Sequence, residues 1–309
     1  MGKYVLKRIF ASILTLWVVI TLTFFLMKAM PGGPFDGEKK PPPQVLENLN
    51  AKYGLDKPVT TQYYMYIKNL LKGDLGLSIK YEGRTVNWVI KTFFPVSAKI
   101  GLLSVAFAVI LGIYLGIVAA LKQGKWQDSL CMLISLLGVT VPSFVLGTLL
   151  IIIFSVKLHI LPPIGLDKPS NYIMPVIALG GYSLAFIARL TRSRLIEVIR
   201  LDYIRTAKAK GLSRGTVVFK HALKNSILPV VTYLGPLIAG ILTGSFVVER
   251  IFGIPGLGSE FVNSINNRDV TNLLGVTLFY STFLIVCNFI VDIAYVIIDP
   301  RIKLDNVES

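Results

Sequence analysis

Charged residues are scarce in this chain. Asp, Glu, Lys and Arg together make up 16% of its 309 residues, whereas an average globular chain carries about 25%. Hydrophobic residues make up 53%, and the mean hydropathy is +0.66. These values indicate a membrane protein before any motif is considered. The length alone would allow two soluble domains, but repeated long apolar runs favour one polytopic helical bundle.

Cysteine and histidine are also rare, with two residues of each type. Cys131 and Cys287 both lie inside apolar runs, so they provide no disulfide framework and have no metal-ligand spacing. We interpret them as small apolar packing residues. His159 and His221 lie far apart in different loops. The sequence therefore predicts no metal site.

The chain lacks the motifs of a nucleotide-hydrolysing or redox enzyme. The phosphate-binding sequence Gly-x-x-x-x-Gly-Lys-Ser/Thr does not occur. The spacing Gly253-x-x-Gly256-x-Gly258 is not a dinucleotide fingerprint, because it lacks the strand context and the correct order of glycines. No nucleophile, metal or paired-carboxylate constellation stands out. We therefore predict no catalytic residue and no cofactor on this chain, and an integral membrane enzyme is disfavoured.

The apolar sequence falls into six runs. A membrane-spanning helix needs about 20 largely apolar residues, and none of the runs carries a charged residue in its middle. The third run contains Pro142, where we expect it to bend. The sequence thus predicts an all-α polytopic membrane protein with six transmembrane helices. The six runs cover residues 9–27, 100–121, 129–156, 171–188, 225–248 and 270–298.

Lys and Arg residues set the predicted orientation, because they concentrate in cytosolic loops. If both termini are cytosolic, the inner segments contain 3, 2, 10 and 2 of them, seventeen in total, and the two short outer loops contain four. The long segment after the first run is left out, because long loops cross the membrane largely regardless of charge. The formal charge of +15 is therefore a topology signal. We predict a lipid bilayer, and no nucleic acid, as a partner.

The long segment between the first two runs carries more pattern than a linker. It begins with Pro31-Gly32-Gly33-Pro34, which predicts a turn or an extended chain. Residues 45–52 and 59–72 predict two short helices, and Gly73 would end the second. We predict a small extracytoplasmic cap. The predicted division of the chain is 1–30 for the N-terminal tail and first span, 31–96 for the cap, 97–298 for a core with five spans, and 299–309 for a cytosolic tail.

The most informative stretch is the basic segment between the fourth and fifth runs, residues 189–225. Residues 195–210 contain no Gly or Pro, which favours a helix. Asp202 could cap its start, Gly211 could end it, and Ser213 could cap a following helix. Charge alone would favour a solvated loop. Side chains expected at the level of the lipid headgroups are Arg189, Arg192 and Arg194.

Two features favour a protein-docking surface over a solvated loop. The segment has two capped helices, and it places small residues where another protein could approach. These small residues are Thr206, Ala207, Ala209 and Gly211.

This segment resembles the cytosolic loop motif of ABC-importer permease subunits. The general pattern is Glu-Ala-Ala…Gly followed by Ile-x-Leu-Pro, and here Thr206-Ala207-x-x-Lys210-Gly211 precedes Ile227-Leu228-Pro229. Residues 202–212 are most similar to the oligopeptide and dipeptide branch of the family. Departures from the general pattern at Arg205, Thr206 and Lys210 are typical of that branch.

The resemblance covers nearly the whole chain. The matching motifs are those of the first of the two permease subunits in the peptide branch, and jointly they are specific. They comprise Met-Pro-Gly at 30–32, Tyr-Gly-Leu-Asp-Lys-Pro at 53–58, the loop at 248–258 and Asp-Pro-Arg at 299–301.

The resemblance implies a permease subunit of an ATP-driven importer. Such a machine moves oligopeptides or dipeptides across the bacterial or archaeal cytoplasmic membrane by alternating access. The implied partners are a second homologous permease subunit, two ATPase subunits that carry ATP and Mg²⁺, and an extracytoplasmic substrate-binding protein. The residues implied to face the binding protein are Glu249, Pro255, Gly256 and Gly258. The residues implied to couple to an ATPase are Asp202, Tyr203, Arg205, Thr206, Ala207, Lys208, Ala209, Lys210, Gly211 and Leu212.

Two alternatives remain open at the level of sequence. The same machine could import nickel or another small solute, because the binding protein largely selects the cargo. A stand-alone secondary carrier or channel is the alternative from a different class. Carriers of that class usually need titratable groups near the middle of the membrane, and this chain has almost none there.

Overall fold

The computed structural model describes residues 2–29, 35, 42–242 and 245–298. Over these ranges the chain is helical, and its β-type pairing is limited to an isolated antiparallel bridge between Leu77 and Thr85. The all-α prediction is therefore confirmed for the described residues. The predicted turn at 31–34, the motifs at 30–32 and 299–301 and the tail at 299–309 lie outside them.

Four helices are long and apolar enough to cross a membrane by length and composition. Helix α4 (Val86–Leu121) has 36 residues, which corresponds to about 54 Å of helix. It begins at Val86, so the end of the segment that we predicted as a cap is already helical. The division into 1–30, 31–96, 97–298 and 299–309 stays a prediction. The four helices are α1 (Gly2–Ala29), α4 (Val86–Leu121), α7 (Ile173–Ile199) and α14 (Val270–Ile298).

Two bent helix pairs raise the number of candidate spans to six if each pair is one span. Helices α5 (Trp126–Thr140) and α6 (Ser143–Leu150) meet at 110°, and a π-helical turn, Ile151–Lys157, continues α6. The break lies at Pro142, as predicted, and it turns the chain sharply between the two helices. A proline disfavours the helical conformation of the preceding residue, and Val141 is extended with φ −85° and ψ 118°.

The second bent pair includes the C-terminal part of the basic loop. Residues Arg214–Ser226 and Leu228–Leu242 meet at 51°. The first arm consists of α9 (Arg214–Thr216), a π-helical turn (Val217–Ala222) and α10 (Leu223–Ser226). The second arm is α11 (Leu228–Leu242). Pro229 lies in the first turn of α11, where a missing N–H is tolerated.

The described residues form two compact units, one within residues 1–97 and 255–289 and one within residues 98–254 and 290–302. In the second unit, small residues let α4 and α7 approach closely. A Cβ added at Gly116 would lie 2.5 Å from the Cβ of Thr191, and one at Gly112 would lie 2.9 Å from that of Ile187. A buried cluster including Val105, Ile187 and residues of α11 surrounds this contact.

The first unit contains the short helices predicted between the first two runs. Helices α2 (Pro43–Tyr53) and α3 (Val59–Leu70) lie close to the predicted positions. Gly73 adopts a φ of +76° just after α3, as expected for a residue that ends a helix. Phe24 of α1 packs edge-on against Tyr63 of α3, with ring centroids 5.3 Å apart. The described part of this segment is therefore folded.

A buried carboxylate holds the loop that follows α3 against α14. Asp269 is 1% exposed and directly precedes α14, and its Oδ1 accepts a hydrogen bond from the backbone N of Asn272 at 3.0 Å. Its Oδ2 accepts from Ser78 Oγ at 2.5 Å and from the backbone N of Ile79 and Lys80 at 3.1 Å each. One side chain thus caps α14 and holds the loop of residues 78–80.

Replacing Asp269 with Asn is expected to destabilise the first unit. The amide has one acceptor oxygen for four donors, of which the hydroxyl of Ser78 and the backbone N of Asn272 are buried, and each unsatisfied buried donor costs about 1–3 kcal/mol. Thermal unfolding in detergent should shift to lower temperature, and proteolysis of the loop at residues 74–85 should accelerate. Asp56→Asn, at an exposed position, is the matched control. Equal unfolding temperatures for the two variants would contradict the role assigned to Asp269.

Candidate functional site

The predicted docking helix is present as α8 (Asp202–Ala209). Its inner face is formed by Ile204 and Ala207, which are buried in a cluster with Leu195, Val217 and other apolar residues. Ala207 was predicted to belong to the docking surface, but it lies on the inner face and packs on the protein's own core, so its part in coupling stays a prediction. The remaining predicted coupling residues are exposed: Asp202, Tyr203, Arg205, Thr206, Lys208, Ala209, Lys210, Gly211 and Leu212.

The start of α8 differs from the prediction. The N-cap position is Leu201, with extended backbone angles of φ −71° and ψ 151°, and no side chain caps the helix there. Asp202 is instead the first helical residue, where a carboxylate still interacts favourably with the helix dipole. It also pairs with Arg205 at 3.3 Å. Since both side chains are largely exposed, this ion pair contributes little to stability.

The end of α8 matches the prediction. Gly211 has a φ of +77°, and its N–H donates to the carbonyl of Lys208 at 3.0 Å. The N–H of Leu212 reaches the carbonyl of Ala207 at 3.4 Å. These two bonds define a Schellman motif, which favours glycine at the left-handed position. Ser213 then caps α9, because its Oγ accepts from the backbone N of Thr216 at 3.3 Å.

A tyrosine links α8 to the helical arm that leads into α11. The hydroxyl of Tyr203 accepts a hydrogen bond from Asn225 Nδ2 at 2.8 Å and donates to the carbonyl of His221 at 3.4 Å. Sequence reasoning singled out Tyr203 but not its two partners. The position of α8 is therefore tied to the residues that precede the 51° bend at α11.

An ion pair links the C-terminal part of α7 to the start of α5. Arg192 Nε and Nη2 donate to Oδ1 and Oδ2 of Asp128 at 2.7 Å each, and Oδ2 also accepts from the backbone N of Gly124 at 3.0 Å. Arg189 Nη2 donates to the carbonyl of Ser135 at 3.0 Å. These two arginines therefore bind α5, and their expected position at the level of the lipid headgroups stays a prediction. Arg194 pairs with Glu197 at 3.1 Å.

Sequence reasoning missed Asp128, although one signal was present. Asp128 is the only acidic residue between Glu82 and Asp167 in the sequence. An isolated acid at the edge of an apolar run needs a partner if it is buried, and Asp128 is 5% exposed.

The loop predicted to face a binding protein is largely buried within the chain. Glu249 lies in α12 (Phe246–Ile251) and is 3% exposed. Gly256 and Gly258, at the start of α13 (Leu257–Asn266), are also buried. Among the four predicted residues, Pro255 alone is exposed. Glu249, Gly256 and Gly258 therefore pack inside the protein, and the predicted role of this loop toward a binding protein stays a prediction.

A tyrosine and a glutamate anchor α13 in the first unit. The Tyr81 hydroxyl donates to Glu260 Oε2 at 2.8 Å, and Asn263 Nδ2 donates to Glu260 Oε1 at 3.1 Å. Burial and this hydrogen bond to the carboxylate raise the pKa of Tyr81 to about 12. Tyr81 is therefore a neutral donor at physiological pH.

Family comparison identifies the chain. A family model described as "Binding-protein-dependent transport system inner membrane component" matches residues 112–304. A second model, "Binding-prot-dependent transport system membrane comp, N-term", matches residues 1–81. The chain belongs to this family. The loop that contains α8 and the ion pair between Arg192 and Asp128 lie within the first match. The family description and the long apolar helices show that the permease is a multi-pass protein of the bacterial cytoplasmic membrane.

Curated relatives match the permease over nearly their full length. The dipeptide transport system permease protein DppB of Bacillus subtilis is 47% identical to this chain, and the match covers 98% of this chain and 99% of DppB. The oligopeptide transport system permease protein OppB of Haemophilus influenzae is also 47% identical, over 98% of this chain and all of its own. OppB of Escherichia coli is 45% identical over the same shares. The resemblance to the oligopeptide and dipeptide branch is confirmed.

A solved structure supports the fold. The crystal structure of an amino acid ABC transporter aligns with 67% of this chain and 93% of its own, with a TM-score of 0.53 and 16% identity. At this identity the likeness concerns the fold alone.

The positive φ of Gly211 leads to a testable prediction about the end of α8. An added Cβ meets nothing within 4 Å at either Gly211 or Gly215, but Gly211 alone of the two has a positive φ. Gly211→Ala should therefore strain the backbone by about 1–2 kcal/mol, whereas Gly215→Ala should not. Hydrogen exchange at residues 209–212 should accelerate about 5- to 30-fold in Gly211→Ala only. Identical exchange in both variants would contradict the Schellman assignment.

Proposed function

We propose that this permease is a membrane-spanning subunit of an ATP-driven importer of oligopeptides or dipeptides. The observation that carries the proposal is the end-to-end match, at 45–47% identity, to permeases named for dipeptide and oligopeptide transport. The match covers 98% of this chain, so it includes the loop of α8 and both bent helix pairs.

The proposed topology has six spans with both termini in the cytosol. Each bent pair then counts as one span, which gives six together with α1, α4, α7 and α14. The distribution of Lys and Arg supports this orientation, because the segment between Arg189 and Lys224 alone contains ten of them. The segment that contains α2 and α3 is then an extracytoplasmic cap, and α8 lies in the cytosol.

The proposed assembly contains a second homologous permease subunit, two ATPase subunits and an extracytoplasmic substrate-binding protein. The family description, a binding-protein-dependent transport system, supports the last of these. ATP and Mg²⁺ belong to the ATPases, since this chain has no phosphate-binding motif. The chain itself is not an enzyme and contributes no catalytic residue.

The outer face of α8 is the proposed contact with an ATPase. Asp202, Arg205, Thr206, Ala209 and Lys210 lie on the face opposite to or flanking the buried Ile204 and Ala207, and all five are exposed. A rigid push on this face would be transmitted without bending, because the inner face packs directly on the core. Gly211 and Leu212 shape the end of the helix that receives the force.

Two links would pass the motion of α8 into the spans. Tyr203 connects α8 to the arm before α11, and Arg192 connects the end of α7 to α5. Movement of α8 would therefore displace α11, α7 and α5 together, which corresponds to rigid-body rocking between two states. At the outer side, Pro255 is the predicted residue that a binding protein can reach, because it alone of the four is exposed.

Reconstitution in liposomes tests the proposed function. The lone chain should show no uptake driven by a proton or sodium gradient, and the complete assembly should import peptides only with ATP. A panel of dipeptides, oligopeptides and Ni²⁺ identifies the cargo, and ATPases with a replaced phosphate-binding lysine are the control. Gradient-driven uptake by the lone chain would refute the proposal, and import of Ni²⁺ without peptides would refute the peptide cargo.

The coupling role of α8 makes a separate prediction. Gly211→Val should leave the assembly intact and ATP hydrolysis active but lower peptide import per ATP by about fivefold or more, because valine strains the left-handed position. Gly215→Val, in α9, is the matched control. Import and hydrolysis should be measured on the same proteoliposomes. An unchanged ratio in Gly211→Val would argue against transmission through this helix.

A further inference from the structure

A cavity of about 440 Å³ lies beside the C-terminal end of α8. Its apolar wall comes from the last turns of α4 and α7 and from the π-helical turn after α9. Val217 and Val218 are almost completely buried, whereas Leu212 at the edge is 40% exposed. The cavity is therefore a groove with an apolar floor and an accessible rim. The lining residues are Ala120, Leu121, Ile199, Lys208, Leu212, Arg214, Val217 and Val218.

The rim of this groove carries positive charge only. Lys208 and Arg214 are both exposed, and none of the eight lining residues is acidic. The nearby acids are paired elsewhere, since Asp202 binds Arg205 and Glu197 binds Arg194. The groove therefore combines an apolar floor with two cations that no acid of its own lining neutralises.

The groove lies at the level where two candidate spans end. The candidate spans Val86–Leu121 and Pro169–Ile199 contribute their final residues, Leu121 and Ile199, to the floor. Lys122 and Lys125 follow α4 directly and add to the basic surroundings in sequence. A span of 31 residues is about 46 Å long, and a bilayer including its headgroups is about 40–45 Å thick. In the orientation proposed above, Ile199 would therefore lie among the headgroups of the cytoplasmic leaflet.

We propose that this groove binds one anionic phospholipid of the cytoplasmic leaflet. The phosphate lies between Lys208 and Arg214, and the upper part of an acyl chain covers Leu121, Ile199 and Val217. A soluble phosphate would leave the apolar floor uncovered, and an apolar protein side chain would leave both cations unpaired. Basic pockets between membrane helices on the cytoplasmic side are suited to anionic headgroups for this reason.

The site connects the membrane to the helix that is proposed to receive force. Lys208 lies one helical turn after Ile204 and flanks the buried face of α8, so its ammonium group can reach the membrane while Asp202, Thr206 and Lys210 face away. A bound lipid would hold the C-terminal turn of α8 against the ends of α4 and α7. The proposal depends on the membrane location of the chain and not on its cargo.

Native mass spectrometry of the full-length chain, purified alone and together with its partner subunits, tests the site. The chain is titrated with phosphatidylglycerol and with phosphatidylcholine of the same acyl chains. Lys208→Gln and Arg214→Gln should each weaken retention of phosphatidylglycerol about fivefold, and the double variant about 25-fold, whereas phosphatidylcholine is unaffected. Arg205→Gln, an exposed cation on the same helix that does not line the groove, is the matched control and should retain wild-type binding.

The remaining outcomes overturn the proposal. Equal retention of the two lipids, or equal losses in Arg205→Gln and Arg214→Gln, would show that the groove does not select an anionic headgroup. Displacement of phosphatidylglycerol by glycerol 3-phosphate would show a phosphate site without a lipid chain. Loss of the bound lipid when the ATPase subunits are added would show that a protein side chain occupies the groove in the assembly.

Discussion

The packing of Ile204 and Ala207 on the ends of the long helices is the contact on which the rest of the basic loop depends. Helix α8 has eight residues, which is too short to be stable alone in water. Two buried side chains and the cluster around Leu195 and Val217 hold it in place. The polar outer face remains available to contact another protein, because the helix is held by the packing of its inner face on the permease itself.

A buried carboxylate is tolerated beside this contact because hydrogen-bond donors surround it. Asp128 is nearly inaccessible, and an unpaired carboxylate there would be strongly unfavourable. The bidentate hydrogen bonds from Arg192 and the hydrogen bond from the N–H of Gly124 replace the water that would otherwise solvate this carboxylate. Asp269 follows the same rule in the first unit, where several donors converge on one carboxylate. Both acids join segments that are distant in sequence.

The basic loop therefore has three distinct surfaces with different partners. Its inner face packs on the permease itself, its outer face is polar and exposed, and the groove beside Lys208 and Arg214 has an apolar floor and two exposed cations. In the proposed arrangement, the same eight-residue helix would lie between a protein partner and the membrane. Coupling and lipid binding are then separate properties of neighbouring side chains.

Local features were predictable from the sequence, because local rules determine them. Long apolar runs indicated α1, α4, α7 and α14, and the permease family followed from motifs along the whole chain. The end of α8 at Gly211 and the cap at Ser213 depend on nearest neighbours, and both were predicted. The break at Pro142 was located correctly because proline acts on the residue before it.

Only the tertiary structure decided which side chains face inward and what they contact. The 110° angle at Pro142, the burial of Ala207, Glu249 and Gly256, and the pairing of Arg192 with Asp128, 64 residues away, depend on how distant helices pack. Spacing along one helix shows that residues share a face, but not whether this face meets the core, lipid or a partner. That choice is made by the neighbouring helices, which bury some faces and leave others exposed.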